Sequence, residues 1–193
     1  MLRRTTELLP KVLLESSRLW AQDISFVIGE VTKLAIGEGP FTGKLDASRI
    51  GVIGMSLGGI AAGSVCLTDE RCRAGVNLDG GTYGQLDATI HRPFLFMGSE
   101  RYRGYDGVFL SHTTGPSYAI VVTGSDHYNY TDICLLDPTH MMVGTIEPAR
   151  MLGIINAYVS AFLDRHLKGT GSPLLDGPSG DYPEVTITTK PGP

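Results

Sequence analysis

Residues 54–58 read Gly-Met-Ser-Leu-Gly, at the point where a short apolar run meets a stretch of small residues. Nothing else narrows the folding of this chain as much. The run 49–55, Arg-Ile-Gly-Val-Ile-Gly-Met, is too brief for a helix and reads as a buried strand. From Ser56 the residues Gly58, Gly59, Ala61, Ala62 and Gly63 begin a close-packing helix to about Leu67. A serine at so sharp a strand-to-helix turn takes a strained backbone. Side chains two positions before and two after it would clash, so both glycines are required. The turn lifts the Ser56 hydroxyl above the sheet and aims the Leu57 N–H at a developing oxyanion. In a chain with 25 glycines among 193 residues the pentapeptide alone is weak. Its position between strand and helix carries the inference, against the plainer reading of a βα turn with an incidental serine.

The rest of the chain fits the same architecture. Trp20, Ile24, Val27, Ile28, Val31 and Leu34 recur at spacings of three and four, one apolar face of a helix over about 16–35 that Gly37, Gly39 and Pro40 stop. Ala74–Leu78, Pro93–Met97 and Tyr118–Thr123 read as further strands. A long helix runs from about Pro148 to Leu167, with Met151, Ile155, Tyr158 and Phe162 on one stripe and Gly169 just past its end. Residues 1–15 are a poorly defined N-terminal segment, and 170–193, rich in Pro, Gly and Asp, read as an irregular tail. Length allows one domain, 1–193. A 42% hydrophobic content excludes intrinsic disorder, and 19% charge with many glycines suits a buried parallel sheet better than a bundle. A net charge of −4 argues against a nucleic-acid partner. No run of residues is long and apolar enough to span a membrane. Cys66, Cys72 and Cys134 lack zinc-site spacing and read as buried reduced thiols, with a Cys66–Cys72 bridge left open but unsupported. Arg3 and Arg4 precede an apolar run broken by Pro10 and Lys11, so no leader peptide forms there. No compartment follows from these features.

Short strands alternating with helices imply right-handed βαβ units, hence an α/β, mostly parallel sheet with helices on both faces. Chemistry in such sheets lies at the carboxyl ends of the strands. A serine nucleophile needs a base, and five histidines are available. His166 sits near the end of the last helix, where an imidazolium suits the dipole as a surface cap. His91 precedes a strand, His112 lies in an unplaced Ser/Thr/Gly loop, and His140 precedes two methionines in a segment without a clear location. His127 follows the fourth strand in Gly-Ser-Asp-His and comes after the nucleophile and the acid candidates, as the order Ser, Asp, His requires. Two acids compete: Asp79, directly after the second strand in Leu-Asp-Gly-Gly, and Asp106, nine residues beyond the third strand. Spacing leaves both open. Asp126 adjoins His127 and points elsewhere.

Four ordered blocks carry a resemblance: Ile-Gly-Val-Ile-Gly-Met-Ser-Leu-Gly-Gly, Ala-Gly-Val-Asn-Leu-Asp-Gly-Gly, Arg-Pro-Phe-Leu-Phe-Met and Asp-His-Tyr-Asn-Tyr-Thr-Asp. Over about residues 16–185 the chain resembles the plasma-type platelet-activating-factor acetylhydrolases, which are α/β-hydrolase serine esterases related to bacterial lipases. The resemblance implies Ser56 as nucleophile, Asp79 as acid and His127 as base; Leu57 remains the oxyanion-hole residue that the turn points to, and no metal or organic cofactor is implied. It implies hydrolysis of short acyl esters, including those of phospholipids, with general carboxylesterase or dienelactone-hydrolase-like activity as the alternative. Only 48 residues precede the nucleophile strand, fewer than the family fold places there, so the chain reads as the C-terminal portion of an α/β-hydrolase fold. Strand 49–55 is then left with an unpaired edge that invites self-association. A catalytically silent remnant serving as an association module is the competing reading. Tyr128, Tyr130, Met55 and Leu57 flank the candidate residues and predict an amphipathic, mostly uncharged rim.

Overall fold

Strand β1, Ile50–Met55, leads through Ser56 into helix α2, Leu57–Thr68, and the chain returns as β2, Cys72–Leu78. Strand β3, Phe94–Ser99, follows, then the short helix α3, Asp106–Ser111, and β4, Ser117–Val122. After a one-turn helix α4, Ile133–Leu136, comes the long helix α5, Pro148–Leu163. The last strand, β5, spans Val185–Lys190, and the chain begins with helix α1, Leu2–Ile36. The computed structural model describes residues 2–81 and 89–192, with side chains from residue 12 on.

The five strands form one sheet in the order β1-β2-β3-β4-β5. The first four are parallel and β5 runs antiparallel to β4. The period of two along the strands sends alternate residues to opposite faces. Phe94, Phe96 and Ala119 pack with Val52, Ala62, Val65 and Phe109 on the face covered by α1, α2 and α3. Leu95, Met97, Tyr118, Ile120 and Val122 pack with Met151, Ile154, Tyr158 and Phe162 of α5 on the other. Those four α5 side chains are fully buried, and Met151, Ile154 and Phe162 each stabilise the fold by about 1.5–3 kcal/mol. Helix α5 starts where it does because Glu147 caps it, its carboxylate accepting from Ala149 N–H (3.0 Å) and Arg150 N–H (2.6 Å), with Pro148 as first helical residue. Past Leu163 the helix widens into a turn over Asp164–Lys168, and Gly169 closes it in the left-handed conformation.

Four expectations change. The segment 1–15 continues the first helix, which starts at Leu2. The apolar stripe of that helix is only partly covered: Ala21, Ile28 and Ala35 are buried with Ser17, whereas Trp20, Val27 and Leu34 are exposed. The tail 170–193 is not irregular throughout. Val-Thr-Ile-Thr-Thr-Lys has the β-branched content of a strand and closes the β4 edge, while an ion pair of Glu184 with Arg150 (3.0 Å) ties the tail to α5. Finally, Cys66 and Cys72 are joined in a disulfide, Cα–Cα 5.1 Å, and not reduced; the tight return from α2 into β2 brings them within bridging distance. Cys134 is free and buried, as expected.

At the other end of the sheet β1 pairs on one side only among the described residues. Val52 is buried beneath this edge, but Ile53 is 47% exposed. A groove of about 420 Å³ runs between this edge and α1, lined by Ile24, Val27, Val31, Ile50 and Ile53 among others.

Candidate active site

The turn from β1 into α2 is as strained as the pentapeptide implies. Ser56 has φ 55° and ψ −123°, a region a non-glycine residue occupies only when its surroundings hold it there. The hold is visible: Ser56 N–H donates to Leu78 O (2.8 Å), and Ser56 O accepts from Gly59 N–H (3.0 Å) and Ile60 N–H (3.2 Å). A Cβ at Gly54 would collide with the backbone of Gly58, so that glycine is required. A Cβ at Gly58 meets nothing within 4 Å, contrary to the expected clash; the second close approach is at Gly59, whose Cβ would strike Asn77. Ser56 Oγ and the Leu57 N–H have no hydrogen-bond partner among the described residues, so both are available to a substrate.

Asp79 sits one residue past β2, also at positive φ (54°) and almost fully buried. Its N–H donates to Met97 O (2.9 Å), which extends the β2–β3 ladder to the carboxyl ends of the strands. A carboxylate so buried needs donors. Oδ1 accepts from Ser99 N–H (2.6 Å), and Oδ2 lies 2.6 Å from His127 Nδ1. An ionised carboxylate only accepts, so opposite one Nδ1 is the donor and a neutral His127 presents its lone pair at Nε2. Burial pushes the Tyr130 phenol well up, and the Asp79 charge adds to this. Tyr130 thus belongs beneath the site and not to its rim. Tyr128 remains half-exposed, its ring 5.5 Å from that of His127.

His127 is held by a turn, His127–Tyr130, capped by Asp126: its carboxylate accepts the His127 N–H (2.6 Å), and Asn129 Oδ1 accepts the Asp126 N–H (2.8 Å). Asp126 also pairs with Arg101, so it points away from the imidazole as expected. Asn129 Oδ1 further accepts Gly144 N–H (2.7 Å), pinning the His127 turn to the following loop.

The competing candidates have other tasks. Asp106 is the first residue of α3, and its Oδ2 accepts from the Thr188 hydroxyl of β5 (2.9 Å). His91 contacts the Thr114 hydroxyl (2.6 Å), His112 ends α3, and His140 Nδ1 accepts Met142 N–H (3.3 Å). His166 is not a charged surface cap. It lies against Phe162 and Tyr118, and burial, with Arg165 beside it, lowers its pKa to about 4.

Residues 29–171, which include the elbow, Asp79 and His127, match the family described as platelet-activating factor acetylhydrolase, isoform II. The chain belongs to that family. Among its relatives, a probable 1-alkyl-2-acetylglycerophosphocholine esterase of Arthroderma benhamiae is 27% identical, over 92% of this chain and 50% of that protein. The platelet-activating factor acetylhydrolase of Gallus gallus is 28% identical, over 64% of this chain and 32% of that protein. The chain therefore spans about half or less of the length of these relatives. A ferulic acid esterase from Streptomyces cinnamoneus superposes with a TM-score of 0.76 at 32% identity, covering 91% of this chain and 56% of that one. The mostly parallel α/β sheet is thus the fold of an esterase.

Two residues that hold the turns around Asp79 and His127 escaped the sequence reading. Asn77 and Asn129 are polar yet fully buried. The readable signal for Asn77 was an amide inside an apolar strand two residues before a candidate acid.

Proposed function

We propose that this acetylhydrolase-family chain hydrolyses short acyl esters, phospholipid acetyl esters among them, with Ser56 as nucleophile, His127 as base and Asp79 as the acid that orients it. One observation carries the reading: the 2.6 Å contact of His127 Nδ1 with buried Asp79, at the strand ends where the Ser56 elbow also opens. Ser56 Oγ attacks the ester carbonyl carbon while His127 Nε2 takes the hydroxyl proton. The carbonyl oxygen becomes an oxyanion facing the Leu57 N–H. Collapse of the tetrahedral species breaks the bond to the alcohol, which leaves with the proton from His127, and Ser56 stays acylated. Water then attacks the acyl carbon and gives a proton to His127; collapse breaks the bond to Ser56 Oγ, which takes that proton back as the acid departs. Asp79 keeps the imidazole in the tautomer that accepts at Nε2 and stabilises the imidazolium.

The half-buried Met55 and Leu57 and the Tyr128 ring give the described part of the rim an uncharged character. Acetyl and butyryl p-nitrophenyl esters are therefore expected to turn over faster than long-chain esters or peptide amides. The rate should rise with pH over the window in which the histidine base loses its proton, and then level off. Fastest turnover of long acyl chains, or a rate that falls across that window, contradicts the proposal. The fold match to a ferulic acid esterase supports a second reading, hydrolysis of aryl-acid esters, and ethyl ferulate in the same assay separates the two.

The open edge of β1 bears on the partner. With Ile53 and the outer α1 residues Trp20, Val27 and Leu34 exposed beside the groove, the chain is expected to pair with a second copy of itself along this edge. Sedimentation of the 193-residue chain should show a dimer or larger species, and Ile53→Lys should shift it toward monomer. A monodisperse monomer at micromolar concentration removes the expectation.

A further inference from the structure

Asn77 occupies the penultimate position of β2 with no solvent exposure. Its neighbours along the buried strand, Val76 and Leu78, are apolar, so a carboxamide here must find partners inside the protein. It finds both in the turn that carries Asp79. Oδ1 accepts Gly80 N–H (2.7 Å), and Nδ2 donates to Gly81 O (3.1 Å). One side chain therefore brackets the two residues after Asp79, in a turn where Asp79 itself sits at φ 54° and Gly81 at φ 65°. The bracket reaches the nucleophile as well. A Cβ at Gly59, in the first turn of α2, would strike the Asn77 carboxamide, and a Cβ at Gly80 would strike Ser56 O. Asn77 is wedged between the acid turn and the elbow.

We infer that Asn77 is a positioning residue: its carboxamide holds Asp79 in the left-handed conformation that aims the carboxylate at His127, and fixes that pair in register with Ser56. The inference rests on the serine-esterase reading above. The carboxylate has two described acceptor contacts, one to Ser99 N–H and one to His127, and neither constrains the peptide units that follow it. The Asn77 bonds supply that constraint. No other residue type of this size presents an acceptor and a donor to those two backbone groups at once. Leucine fills the volume with neither bond. Aspartate keeps the acceptor for Gly80 N–H but turns a second carboxylate oxygen toward Gly81 O.

The test uses Asn77→Ala and the near-isosteric Asn77→Asp, each compared with the unaltered chain in three measurements. Active sites are titrated with a fluorophosphonate, then kcat and KM for p-nitrophenyl acetate are taken across pH. The downfield Nδ1–H proton resonance of His127 is recorded on folded protein, and thermal melts confirm the fold. The expected result is a kcat per titrated site lower by roughly 10²-fold, the cost of misplacing a catalytic group by about an ångström, with KM little changed. In Asn77→Ala the rising limb of the pH profile should move to lower pH, because a displaced Asp79 no longer stabilises the imidazolium, and in both variants the His127 resonance should vanish or broaden. A lowered melting temperature with unchanged kcat per site, pH limb and resonance overturns the inference. If alanine does not fold, aspartate carries the comparison. If the unaltered chain neither labels nor hydrolyses, the esterase reading fails, while loss or persistence of the His127 resonance in the variants still decides the role of Asn77.

Discussion

Ser56→Ala is expected to abolish ester hydrolysis for practical purposes, lowering kcat by roughly 10⁶-fold, the scale on which a triad nucleophile acts. The loss should come without a loss of structure. Ser56 Oγ makes no hydrogen bond among the described residues and does not cap α2, so removing it breaks nothing. The strained backbone is equally unfavourable to alanine and serine, and the contacts that enforce it, from Leu78 O, Gly59 N–H and Ile60 N–H, are all backbone. Melting temperatures of the two proteins should therefore agree within a few degrees. A fluorophosphonate probe should label the unaltered chain and leave the variant untouched. Labelling of Ser56→Ala at the original rate would place the nucleophile elsewhere. Failure of both proteins to label would leave the association reading of the chain in possession.

Much of this site was legible because it follows from where strands end. The apolar run before Ser56, the small residues after it and the order of the later strands are enough to place Ser56, His127 and both acid candidates at the carboxyl ends of the strands. The structure brings Asp79 and His127 together there. What spacing left open between Asp79 and Asp106 depended on tertiary facts. Asp106 opens a helix whose carboxylate is taken up by Thr188 of β5, a strand the Pro- and Gly-rich surroundings of the tail concealed. The same concealment made the tail look irregular. His166 misled because dipole arguments concern exposed termini, whereas this ring is half sunk between Phe162 and Tyr118. The α1 stripe misled in the opposite direction. Period alone groups Trp20, Val27 and Leu34 with Ile28, but the buried line of the helix is narrower and runs through Ser17, Ala21, Ile28 and Ala35. Gly58 taught a similar lesson. The motif names two glycines, yet the tight approach falls on Gly54 and on Gly59 beside Asn77, a contact that no one-dimensional pattern encodes.

Asp79→Asn should reduce kcat by about 10⁴-fold, whereas Asp106→Asn should leave it within a few-fold of the original. The large effect comes from the tautomer. The asparagine amide can still accept from Ser99 N–H through Oδ1, so the turn keeps its anchor. Its Nδ2, standing where Oδ2 stood, now donates toward His127 Nδ1 and so favours the imidazole form with the proton on Nε2. That nitrogen then faces Ser56 as a donor and cannot take the hydroxyl proton. The imidazolium that forms in the transition state also loses its only described anionic partner. Stability should change little in comparison. Asparagine tolerates a positive φ at least as well as aspartate, and it relieves the burial of a charge, while losing the charge-assisted bond to His127. Asp106 stands in contrast: its amide variant risks one hydrogen bond with Thr188, about 0.5–1.5 kcal/mol of stability and nothing at the reacting atoms. Turnover of p-nitrophenyl acetate per titrated site, measured for both variants alongside thermal melts, decides the matter. A larger loss in Asp106→Asn than in Asp79→Asn would reverse the assignment of the acid, and equal small losses would show that His127 works without either.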